Sequence, residues 1–236
     1  MKIEAKRSYV DVTRIVDAGL RKYMQNVFSH MSAGLLITAV VAYIMSLSDA
    51  FVLFLATSRG TSMLLSLVPL GIAMYLGAKI NSISVDRARA LFFVYAAMLG
   101  FLLSVVVASF SSSSLVVTFF VTSSMFLSMV IYGYTTGKDL TSWGSFLLMG
   151  LVGIIIAGFV NLFFMNSMTS FIISAIGVIV FTGLTAYDMQ RIKSYYLQSD
   201  HPEIGEKKAI IGALMLYLDF INLFLSLLRF LGKSRD

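Results

Sequence analysis

Asp219 stands inside an uninterrupted apolar run, residues 209–230 (AIIGALMLYLDFINLFLSLLRF), which is long enough to cross a bilayer. A carboxylate at that depth is costly unless it is protonated, paired or wetted, so its default reading is functional rather than structural. At about 100° per residue, Gly212, Met215, Asn222 and Ser226 share its helix face, while Leu, Ile and Phe fill the others. This stripe of small and polar groups is expected to face the interior of a helix bundle, where hydrogen bonds or water satisfy it. A second carboxylate, Asp188, closes the preceding apolar run in the sequence Thr185-Ala-Tyr-Asp188-Met-Gln-Arg191. Alone, Asp188 reads as a marker of the membrane interface; set against Asp219 it becomes half of a pair. Two carboxylates within hydrogen-bonding range cannot both ionise cheaply, so they share a proton. Without that proton they repel unless a cation intervenes, and Ca²⁺ prefers carboxylate and carbonyl oxygen. A gate and a transient Ca²⁺ site at Asp188 and Asp219 would then be one object.

The elements that must position these groups are membrane helices. Hydrophobic residues make up 58% of the 236 and charged residues 13%, where a soluble domain has about 25% charged. The composition therefore indicates an all-α polytopic membrane protein. A span needs roughly 20 apolar residues. Seven stretches qualify: 27–47, 62–78, 91–110, 115–134, 146–165, 168–187 and 209–230. The second carries Pro69, and the run 51–56 is too short to span and reads as a connecting or interfacial segment. Residues 1–26 are expected to form a cytoplasmic segment ahead of a single seven-helix domain, 27–236. Acidic Glu4, Asp11 and Asp17 argue against a signal peptide. Val12, Ile15, Val16, Leu20, Tyr23 and Met24 recur at near-helical spacing, as in a helix lying on the membrane surface.

Charge orients the bundle. A cytoplasmic N-terminus places fourteen lysines and arginines on that side and four, Arg59, Arg229, Lys233 and Arg235, on the other. The net charge of +6 is thus topogenic, and a nucleic-acid partner loses its support. A full final span puts the C-terminus opposite the N-terminus, whereas a re-entrant one would return it; the full span is the expectation, because re-entrant backbone must be buried in protein or face water. The absence of cysteine excludes disulfides, thiolate metal sites and cysteine nucleophiles. No phosphate loop, His-Glu metal motif or serine with a plausible base is present, so neither an enzyme nor a resident cofactor is expected. His201 beside Glu203 makes a weak metal motif in a polar loop, and His30 reads as interfacial. Gly153 with Ala157, Ala73 with Gly77 and Gly34 with Thr38 have the spacing that lets helices approach closely.

Three motifs extend the reading. Tyr132-Gly-Tyr-Thr-Thr-Gly-Lys-Asp139-Leu-Thr-Ser-Trp143-Gly-Ser-Phe146, Ala186-Tyr-Asp188-Met-Gln190 and Leu216-Tyr-Leu-Asp219-Phe-Ile-Asn222-Leu-Phe224 together resemble the bacterial branch of the transmembrane Bax inhibitor motif family, with similarity over residues 21–231. The resemblance implies a seven-helix fold whose last helix is surrounded by the others, in a bacterial inner membrane. It implies that Asp188 and Asp219 form a proton-sensitive pair controlling a calcium or cation leak. It also implies an alternative, a non-conducting regulator that binds a membrane protease or another membrane partner. Some family members use a further acidic residue and an arginine in the second helix. Residues 62–76 contain no Asp, Glu, Lys, Arg or His, which removes those groups from the outer half of a conduction path.

Overall fold

In hydrocarbon each backbone N–H and C=O must be bonded within its own segment, so apolar runs of this length fold as helices. A computed structural model of the chain describes residues 2–164, 166–233 and 235, with side-chain surroundings from Ala18 onward save those of Arg59 and Leu162. The helices are α1 (Lys2–Ser46), α2 (Asp49–Thr57), α3 (Arg59–Lys79), α4 (Val85–Ser109), α5 (Ser112–Thr135), α6 (Thr141–Phe164), α7 (Ser167–Ser194) and α8 (Pro202–Leu231). Seven are long and apolar enough to cross a membrane; α2 is not, and it corresponds to the connecting run at 51–56. Polar residues in the turns start the helices: Ser84 Oγ accepts from Arg87 N, Ser111 Oγ from Ser114 N, and Asn166 Oδ1 from Met168 N and Thr169 N.

The boundaries differ from the apolar runs in an informative way. α1 is continuous through residue 26, so no break separates the N-terminal segment from the first span; the side chains of Val12, Ile15 and Val16 lie outside the described residues. α7 runs on to Ser194 and α8 begins at Pro202, ahead of the apolar stretches 168–187 and 209–230. Arg191 and Lys193 complement the carbonyl end of α7. His201 and Glu203 occupy the N-cap position and first turn of α8, His201 without a side-chain capping bond.

The last helix is central. Of its most apolar 18 residues 67% are buried, against 11% in α3 and in α6. α8 packs on α7, α1, α5 and α4, while α3 leans chiefly on α4 and α6 on α7 as outer flanks. Tyr217 is fully buried, with its ring edge-to-face on Phe92 and Tyr95 at 5.8 and 5.7 Å between centroids. Its hydroxyl lies 2.6 Å from Thr38 Oγ1, which also approaches Ala96 O at 2.9 Å, so one buried node joins α1, α4 and α8.

Lipid supplies no hydrophobic drive between helices, and close backbone approach takes its place. A Cβ on Gly100 would lie 2.6 Å from Thr38 O, and one on Gly34 2.8 Å from the Phe92 ring. The other two small-residue pairs do not behave this way: Gly153 and Gly77 meet nothing within 4 Å, because α6 and α3 turn those faces to lipid.

The C-terminus lies across the bundle from the α7–α8 loop. Ser111 N donates to Lys233 O at 3.1 Å, Lys233 N to Ser114 Oγ at 2.9 Å and Arg235 N to Ser109 O at 2.9 Å. These bonds fasten the tail to the α4–α5 turn, so α8 runs the length of the bundle from the α7–α8 loop to the opposite end.

Candidate functional site: a carboxylate pair between the last two helices

α7 and α8 run antiparallel, and two close contacts fix their register. A Cβ on Gly212 would lie 3.0 Å from Ile192 Cγ2, and one on Gly177 2.6 Å from Ser226 Oγ. In that register Asp188 stands level with Met215 and Leu216, and Asp219 level with Thr185. The two carboxylates are thus offset by about one helical turn, roughly 5 Å along the axis. At that separation each carboxyl feels the other's charge, and Asp188 also feels the charge of Arg191 one turn along α7, whose guanidinium lies 5.6 Å from the Tyr195 ring centroid.

Asp219 is 5% exposed, and its Oδ2 is buried without a hydrogen-bond partner among the described residues. Buried polar atoms are nearly always bonded, so an orphaned carboxylate oxygen marks a place where a proton, water or cation is accommodated. Asp188 is only partly buried and lies nearer the α7–α8 loop. The pair therefore has an inner member sealed in the bundle and an outer member closer to solvent.

The motif around Asp139 builds the cradle that holds α7. Gln190 Oε1 accepts from Leu140 N at 2.9 Å and Gln190 Nε2 donates to Lys138 O at 2.8 Å. Lys193 Nζ donates to Tyr134 O at 2.9 Å and sits 4.6 Å from the Tyr134 ring centroid. Gly133 lies against the Ala186 carbonyl and Gly144 against the Tyr187 ring, closer than any side chain would allow. Asp139 Oδ1 accepts from Thr141 Oγ1 at 2.6 Å and Thr141 N at 2.9 Å, which holds its carboxyl below the ordinary value. It starts α6 and takes no part in the pair.

The polar stripe divides. Met215 and Gly212 lie beside Asp188 and Ile192, toward the α7–α8 loop. Asn222 and Ser226 point the other way, lining with Ser174 a cavity of about 250 Å³ between α6, α7 and α8 that ends at Arg229. Asn222 Nδ2 donates to Leu218 O at 2.8 Å, so its donor bond is made within α8. Among the described residues no three His, Cys, Asp or Glu side chains come together as a metal site.

A polar cluster near the α7–α8 loop escaped the sequence reading. Glu206 Oε2 accepts from Asn26 Nδ2 at 2.8 Å and Oε1 from Arg89 Nη2 at 3.0 Å. His30 Nδ1 lies 2.8 Å from Asn26 O, and its Nε2 lies 3.3 Å from Arg89 Nε and 3.4 Å from Glu206 Oε1. The cluster ties α1, α4 and α8 together at the mouth of the bundle. Its members are 59 to 180 residues apart, apart from the local pair Asn26 and His30, so no sequence spacing announces it.

Residues 20–236 match the family model described as Inhibitor of apoptosis-promoting Bax1. The chain belongs to this Bax inhibitor family. It is 46% identical over 221 residues to an uncharacterized protein of Rickettsia prowazekii, covering 93% of each chain. A protein of Borreliella burgdorferi is 46% identical over 216 residues, 91% of this chain and 93% of that one. Inner membrane protein YbhL of Escherichia coli K12 is 42% identical over 220 residues, covering 92% of this chain and 94% of its own. The family assignment and the seven apolar helices together make this a membrane protein, with the carboxylate pair between the last two spans.

Proposed function

We propose that this Bax inhibitor family member is a pH-sensitive calcium or cation leak, with the Asp188 and Asp219 pair as proton sensor and gate. The observation that carries the reading is the orphaned, buried Oδ2 of Asp219 beside a second carboxylate one turn away. When the pair holds a proton the repulsion between its members is relieved and α7 and α8 stay closed over it. When the proton leaves, two negative charges share a dry site, and either the helices part to admit water or a cation takes the proton's place. Two carboxylates supply about four oxygens where Ca²⁺ takes 6–8, so Ca²⁺ is a passing cargo partly held by water rather than a resident cofactor. On this reading the protein is not an enzyme. It works in a bacterial inner membrane, as the name of the E. coli relative suggests, with its N-terminus cytoplasmic as the distribution of lysine and arginine suggests.

The test is Ca²⁺ uptake into liposomes carrying the purified protein and an internal calcium dye, at a series of pH values. The leak should rise with pH, and Asp219→Asn and Asp188→Asn should each alter that dependence. Flux of unchanged pH profile in both variants refutes the reading. A non-conducting regulator that binds a membrane protease is the second reading, favoured by α1 beginning at Lys2, well ahead of the first apolar run at 27–47. Removing residues 1–22 should then abolish partner co-purification while sparing any flux; intact binding after the deletion would count against that segment as the contact.

A further inference from the structure

At the end of the bundle where α8 finishes, the ring of helices is open. α3 and α6 are the least buried spans and lean on different neighbours, α4 and α7. Between their ends lies a cavity of about 830 Å³, floored by Arg229 of α8. Its walls are of two kinds. Met63, Phe159 and Phe163 give an apolar side continuous with the exposed faces of α3 and α6, while Ser62, Ser66 and Ser170 give a polar one. Leu55 and Ala56 of the short helix α2 close the end.

The charges within the cavity are one-sided. Arg229 is the one ionisable group among its described lining residues, and Arg229 makes no hydrogen bond or ion pair among the described residues. The serine hydroxyl protons are already committed: Ser62 Oγ to Leu55 O and Ser58 O, Ser66 Oγ to Met63 O at 2.7 Å, Ser170 Oγ to Asn166 O at 3.2 Å. Ser170 Oγ in turn accepts from Asn161 Nδ2 at 2.7 Å, which leaves the Ser62 and Ser66 hydroxyl oxygens, with no donor among the described residues, as the acceptors of this wall. A ligand that fits must therefore bring an anion for the guanidinium, hydroxyl donors for the serines and an apolar tail for the gap between α3 and α6. Guanidinium meets phosphate through two parallel N–H bonds, a geometry that the point charge of lysine lacks.

We propose that this cleft is a binding site for an anionic phospholipid whose headgroup carries hydroxyl groups, its phosphate on Arg229 and its acyl chains along α3 and α6. The site is separate from the carboxylate pair and does not depend on conduction. The test is native mass spectrometry of the full chain in neutral detergent, titrated with phosphatidylglycerol. One lipid should be retained per chain; Arg229→Gln should weaken retention at least tenfold, and Arg229→Lys should fall between the two. Arg191→Gln, at the other end of the bundle, should retain lipid as the native chain does. Equal retention by the native chain and Arg229→Gln overturns the proposal, and so does equal loss in Arg191→Gln. Displacement by inorganic phosphate would make the cleft a phosphate site, and equal affinity for phosphatidylcholine would make it an apolar groove; either result overturns the lipid assignment.

Discussion

Removing one methyl-sized polar group from the node of α1, α4 and α8 should distinguish its donor from its acceptor. Thr38 has one hydroxyl proton and two carbonyls within reach, Gly34 O at 3.0 Å and Ala96 O at 2.9 Å, so the short contact with Tyr217 is donated by the tyrosine. Tyr217→Phe keeps the ring and its edge-to-face contacts, and loses one bond, about 1 kcal/mol. Thr38→Val keeps the volume but strands the Tyr217 hydroxyl at a fully buried position, which costs about 1–3 kcal/mol beyond the lost Thr38 bond, hence about 2–4 in all. The double variant removes both partners and should cost about 1–2 kcal/mol, less than the sum. For a chain of this size each kcal/mol moves the midpoint of unfolding by about 2–4 °C. The assay is reversible unfolding in mixed micelles on all four proteins. Additive losses, or a Thr38→Val no worse than Tyr217→Phe, would refute the donor assignment.

Gly133→Val drives a side chain into the Ala186 carbonyl and should lower thermal stability and shift α7, whereas Gly153→Ala, with nothing within 4 Å, should leave melting in detergent unchanged. A neutral Gly133→Val would mean that the Asp139 motif does not hold α7. The hydrogen bonds from Thr141 lower the Asp139 carboxyl, so its contribution is present above the ordinary value of 3.8 and is lost as pH falls through the lower folded value. Amide exchange at the start of α6 should therefore be faster in Asp139→Ala than in the native chain at neutral pH and converge with it only in strong acid; equal rates at neutral pH would refute the cap.

Much of this architecture was legible in the chain, for a physical reason. Bilayer thickness turns apolar length into a span, and a single carboxylate in such a run, with Gly212, Asn222 and Ser226 on its face, identifies α8 as interior. Helix ends were less legible, because Arg191, Lys193 and the loop before Pro202 continue or start helices outside the hydrocarbon, where hydropathy carries no signal. Packing by small residues was legible at Gly34 and misleading at Gly153, since spacing alone does not say whether a face meets a helix or lipid. The Asn26, His30, Arg89 and Glu206 cluster, and Arg229 under the cleft, depend on contacts between distant segments. Even the approach of Asp188 to Asp219 needed the register set by Gly212 and Gly177.

The central claim is that Asp188 and Asp219 titrate as one coupled pair. Infrared difference spectroscopy of the full chain in lipid, titrated across pH, observes the carbonyl stretch of a buried protonated carboxyl directly. The account predicts one such band that is lost in Asp219→Asn and whose titration moves in Asp188→Asn. A band that titrates identically with Asp188 present or replaced would contradict it.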